Sequence, residues 1–197
     1  MTEPDERPEG ITPSQTVGPF FAFSLTPADY GYPALTGPDL LVEGVVGTPI
    51  RIEGRVLDGE GEPVPDAMIE IWQADGNGRY PGPGANTPFK GFGRSETRGP
   101  GFAFRTVKPG RVPGPDGRLQ APHINVSVFA RGILRRMFTR LYFADEPANE
   151  TDPVLALVPP DRRQTLIARR DATVDGLPLY VFDIRLQGED ETVFFEA

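Results

Sequence analysis

The chain has 197 residues, a net charge of −8, no cysteine and a single histidine. That length suits one domain able to build its own core. The missing thiols exclude disulfides, thiolate metal sites and cysteine nucleophiles, and the acidity argues against a nucleic-acid binder, which needs a basic footprint to neutralise phosphates.

In chain order, the opening MTEPDERPEG carries four acids and two prolines and no apolar core of a leader, and nowhere do eighteen apolar residues run together; a cytoplasmic chain with no membrane partner is expected. Residues 1–48 are rich in Pro and Gly, with aromatics such as Phe20, Phe21, Phe23, Tyr30 and Tyr32. We read them as an arm packed on a partner, ahead of a core over 49–197. Period-two alternation and flanking turn clusters then predict strands over Ile50–Val56, Ala67–Ala74, Phe102–Val107, His123–Arg131, Arg140–Ala144, Leu179–Leu186 and Thr192–Phe195. One short helix is expected over Pro160–Arg169, with proline in its first turn and Leu166 and Ile167 available for burial. Short strands between turn signals imply an all-β fold, an antiparallel β-sandwich or barrel with little helix.

Charge is spread unevenly. From Arg105 to Arg140 eight cations face one acid, Asp116, a net +7 that leaves −15 for the rest. A basic midsection suits a small anionic ligand or an acidic partner surface. Within it lies HINVSVFAR (123–131). On a strand, His123, Asn125, Ser127, Phe129 and Arg131 would share one face while Ile124, Val126, Val128 and Ala130 supply the other, a core face. Iron or zinc would need His123 plus oxygen donors, with the hard phenolate of Tyr80 the natural candidate. Two ligands are too few, so a structural histidine and a ligating one both stay open. The run Asp75–Tyr80 starts like a calcium loop but has Asn86 at the position that needs an acid. No serine stands in a nucleophile elbow.

Seven segments, in order, carry a family resemblance: TPSQTVGPFF (12–21), EIWQADGNGRY (70–80), FKGFGRSET (89–97), TVKPG (106–110), APHINVSVFARG (121–132), TRLYFADE (139–146) and ETVFFEA (191–197). The chain resembles the intradiol ring-cleaving dioxygenases, in particular the metal-free α-type chain of their two-chain members. The resemblance implies a β-sandwich and a hetero-oligomer whose β chain holds non-haem Fe(III) through two tyrosines and two histidines. There a catechol, here the small aromatic carboxylate 3,4-dihydroxybenzoate, is opened by O₂ between its hydroxyl-bearing carbons to give 3-carboxy-cis,cis-muconate. Tyr80 and His123 match the first tyrosine and first histidine ligands. Val112 stands near the place of the second tyrosine, Asn125 replaces the second histidine, and Gln120 replaces an arginine that assists the site. A hydrocarbon cannot ligate and an amide is a poor donor to Fe(III), so the chain itself is expected to bind no cofactor and to be inactive alone.

The resemblance also implies that Thr16, Gly18, Pro19 and Phe20 of the arm line the partner's substrate cavity, and that Arg131 binds the substrate carboxylate there. A guanidinium presents paired donors in carboxylate geometry. Two other readings stay open at this point: a self-sufficient enzyme, and a β-sandwich interaction module with no catalytic role.

Overall fold

The structure, a computed structural model, describes residues 27–83 and 87–196. Twelve strands carry it: β1 (Pro49–Gly54), β2 (Val56–Leu57), β3 (Met68–Trp72), β4 (Phe92–Glu96), β5 (Phe102–Val107), β6 (Val112–Pro113), β7 (Leu119–Gln120), β8 (His123–Phe129), β9 (Met137–Phe143), β10 (Ile167–Val174), β11 (Leu177–Val181) and β12 (Ile184–Arg185). Between β9 and β10 the chain makes three 3₁₀ turns, at Pro147–Thr151, Leu155–Leu157 and Arg163–Leu166.

Eight of them form one continuous ladder in the order β4-β3-β8-β9-β10-β11-β1-β5, and β2 with β12 and β6 with β7 make two small separate pairs. It folds into a sandwich because β10 belongs to both layers. Its first residues, Ile167 and Ala168, pair in parallel with Tyr142 and Phe143 of β9, and Arg169–Val174 then pair antiparallel with β11 around an irregularity after Arg170. At the opposite edge the layers meet where the Ala103 amide of β5 donates to Ser95 Oγ of β4, 3.2 Å away. Ile50, Ile52, Phe104 and Tyr180 from one layer and Ile69, Ile71, Ile124, Val126, Val128, Leu141 and Phe143 from the other fill the space between. Each alternates with outward-facing neighbours, as a half-buried pleat requires.

The sandwich is not purely antiparallel: β1 with β11, β9 with β10 and β2 with β12 run parallel. The expected helix over Pro160–Arg169 is corrected to a single 3₁₀ turn, Arg163–Leu166, after which Ile167 opens β10. Leu166 is buried as expected, whereas Ile167 is only partly buried and it is Ala168 that is covered, by the strand pairing that joins the two layers. The segment Thr192–Phe195 makes one isolated bridge, Phe138 with Phe195, in place of a strand. From the region read as an arm, Leu40 is buried in the main core and donates its amide to the Arg105 carbonyl at 2.8 Å.

Candidate functional site

The site lies on the outer face of the layer containing β8 and β9. Their register sets Asn125 opposite Arg140 and His123 opposite Tyr142. Alternation sends Ile124, Leu141 and Phe143 inward and leaves these four on the other side. That side is covered by the β6–β7 hairpin and by a small second core of Ala121, Tyr142, Leu155, Val158 and Leu166.

Tyr80 arrives from the turn that follows β3. Asp75 Oδ1 accepts the amides of Asn77 at 2.9 Å and Arg79 at 3.0 Å, an Asx turn of the side chain on its own backbone. Gly78 has φ +75°, and a Cβ there would stand 2.0 Å from the Arg111 carbonyl oxygen. Only glycine allows both. The turn is thereby pressed against the entry to β6, and the Tyr80 ring stacks on Trp72 at 5.6 Å and 18°. The Asp75–Tyr80 run is a turn built to deliver a phenol.

At the site, the Asn125 side-chain amide donates to the Tyr80 hydroxyl oxygen at 3.2 Å. Burial pushes the Tyr80 phenol up, against the Asn125 hydrogen bond and the nearby Arg140 charge. His123 is buried, with Nδ1 2.8 Å from the Ala121 carbonyl. A carbonyl only accepts, so Nδ1 carries the proton. Burial first, then Arg140, lowers the His123 pKa to about 4, so the ring is neutral near pH 7. Arg140 Nη1 donates to Gln120 Oε1 at 2.7 Å and to the Tyr142 hydroxyl at 3.4 Å. Tyr142 in turn donates to Asp152 Oδ1 at 3.1 Å, and the fully buried Asp152 also accepts the amides of Ala121, Val154 and Leu155. Val112 is buried and pairs with Gln120 across the β6–β7 hairpin.

Tyr80, Val112, Gln120, His123 and Asn125, widely spaced in the chain, therefore do converge on one sheet face and its cover. Three residues bearing on them were not singled out from the sequence: Arg140, Tyr142 and Asp152. The first two had a usable signal, since TRLYF alternates and a pairing of β9 with β8 puts both beside His123 and Asn125. Asp152, in an irregular segment, had none. Arg131 is not brought to this place. The strand ends at Phe129, about 20 Å along β8 from His123, so the expected strand to Arg131 is shortened by two residues. Arg131 sits in the following turn, exposed, with Asp66 as an ion-pair partner. Thr16, Gly18, Pro19 and Phe20 lie outside the described residues.

These residues do not fit Fe(III). Val112 offers no donor atom. Asn125 turns its amide N–H toward the Tyr80 hydroxyl oxygen, the atom a metal would need as a donor, and an amide is a poor ligand for Fe(III) in any case. Among the described residues no cluster of three or more His, Asp or Glu side chains is placed to hold a metal, and no helix is long and apolar enough to cross a membrane.

A family model described as a dioxygenase matches residues 34–188. The chain belongs to the intradiol dioxygenases, a family of iron-dependent enzymes. It is 48% identical over 195 residues to the protocatechuate 3,4-dioxygenase alpha chain of Burkholderia cepacia, covering 94% of this chain and 97% of that relative. The beta chain of the same organism's enzyme is 38% identical over 160 residues, covering 75% of this chain and 68% of the relative. Among solved structures, the dioxygenase domain of a carbohydrate-binding fusion from Streptomyces sp. SirexAA-E superposes with a TM-score of 0.60 at 28% identity, over 90% of this chain and 98% of that domain.

Proposed function

We propose that this chain is the α-type subunit of a protocatechuate 3,4-dioxygenase, that a β-type companion holds the iron, and that the assembled pair opens the protocatechuate ring. The observation that carries this reading is the unsuitability of the chain's own ligand positions for iron, in a chain whose similarity to an alpha chain extends over nearly its whole length. A relative of the beta type supports pairing of the two kinds of chain.

In this reading the chain contributes to catalysis by shaping the companion's cavity. Arg131 binds the substrate carboxylate there, and Thr16, Gly18, Pro19 and Phe20 line it. Two features suit Arg131 to this role. Its exposure leaves it reachable from outside the chain, and its pairing with the half-buried Asp66 at the surface is weak enough to exchange for a ligand. Exposed pairs contribute at most about 1 kcal/mol. A desolvated charge-assisted bond to a carboxylate contributes about 1.5–3 kcal/mol, a factor of roughly ten to a hundred in affinity.

The test is substrate discrimination by the assembled enzyme. Arg131→Ala should raise KM for protocatechuate by roughly tenfold to a hundredfold, while catechol, which lacks the carboxylate, changes little. Arg131→Lys should recover part of the loss, because lysine offers charge without the fork. Equal losses on both substrates refute the carboxylate role.

A further inference from the structure

Arg140 brings a cation to the sheet face that carries His123 and Asn125. It lies directly across the β8–β9 ladder from Asn125, on the same face, where opposed side chains have Cβ atoms about 5 Å apart. Its guanidinium is part-buried and fixed at two points, Gln120 Oε1 at 2.7 Å and the Tyr142 hydroxyl at 3.4 Å. Tyr142 is held in turn by Asp152, whose remaining bonds go to backbone amides. The cation is thus built in, with its position set by a buried chain of hydrogen bonds.

We propose that Arg140 is a metal-excluding residue, its fixed positive charge beside Tyr80, His123 and Asn125 keeping ferric iron out of this face independently of the missing donors at Val112 and Asn125. The inference rests on the family reading of Tyr80, Val112, His123 and Asn125 as ligand positions and adds a residue that reading does not contain. A guanidinium cannot shed its proton to accommodate a second cation, and two cations at close range in a part-buried setting repel far more strongly than in water.

The test restores the donors and then varies the cation. Val112→Tyr with Asn125→His is made in the full chain, with Arg140 retained or changed to Gln or Lys. Ferric iron is titrated in, followed by bound iron and by the visible band of tyrosinate coordination, with melting temperature as a second readout. The Gln version should bind iron with the band and a raised melting temperature, roughly tenfold or more tighter than the Arg and Lys versions. Equal affinity in all three overturns the role of Arg140. Iron bound by none removes the ligand-position reading, and the proposal with it. Should the triple variant not fold, Arg140→Gln alone is compared with the parent for Cu(II), for which Tyr80 and His123 supply two donors: about tenfold tighter binding upholds the proposal, and unchanged binding overturns it.

Discussion

His123 shows how far a residue's chemistry depends on what surrounds it. Its ring is buried, donates Nδ1–H to a backbone carbonyl and has a guanidinium nearby, so protonation is opposed from two sides. The folded pKa of about 4 lies below the unfolded value near 6.5. The neutral ring therefore contributes stability that is fully present above pH 6.5 and is lost as pH falls toward 4, about 3 kcal/mol across that window. As the chain's single histidine it can be followed without ambiguity. Its proton NMR titration should have a midpoint near pH 4, and His123→Phe should flatten the fall in denaturation midpoint between pH 6.5 and 4. A midpoint near 6.5 would mean that the ring is solvated and the description of the site is wrong. At this scale the sequence was informative about identity and silent about environment: Tyr80, Val112, Gln120, His123 and Asn125 were all picked out, whereas Arg140 appeared only as one charge in a basic run.

Among the elements, alternation was readable wherever one face is buried. Strand β5 was expected over Phe102–Val107 and lies there, and β8 starts at His123 as expected. Four strands lie outside the expected ones, the two-residue β6 and β7 and the longer β4 and β10, and the longer two share a reason. In β4, FGRSE is short and largely polar, and its place is secured by pairing with β3 and by Ser95 at the sandwich edge. In β10, IARRDATV buries one residue fully and exposes five in succession, so it lacks a period-two signal and carries good helix formers at its start. Pairing on both sides overrides that propensity, a tertiary effect that no local window contains. The turn before Tyr80 is the element whose chemistry is most exacting. Gly78→Ala combines positive φ with a Cβ 2.0 Å from the Arg111 carbonyl oxygen, and should cost about 2–4 kcal/mol. Urea denaturation checks the loss. A cost below about 0.5 kcal/mol would show that the turn can move freely away from β6 and does not fix the phenol.

For the whole molecule, the fold's two layers are tied by polar as well as apolar means. The fully buried Gln73, next to β3, donates to the Ala74 and Val107 carbonyls and accepts from Thr106 of β5. Lys108, directly after Val107, lies over the rings of Phe143 and Tyr180 and within 3.1 Å of Asp145. This frame places Arg131 and the Tyr80–His123 face at opposite ends of β8, and the proposed function gives the two regions different duties: an outward cation for a neighbour's cavity, and a closed hydrogen-bonded face in place of a metal centre. The first belongs to the proposed assembly and was legible only through family resemblance, because nothing in one chain's periodicity reports on a partner. The second joins the ligand positions that the resemblance implies to side-chain chemistry, which gives Val112 no donor atom and Asn125 a poor one.

The account depends on that division of labour, and iron content tests it most directly. The full chain, purified alone and with a β-type companion, is assayed for bound iron and for the visible absorption of tyrosinate-bound Fe(III). The account predicts a colourless, iron-free chain alone, and iron, colour and protocatechuate-dependent oxygen uptake when the companion is present. A coloured lone chain holding stoichiometric iron would contradict it.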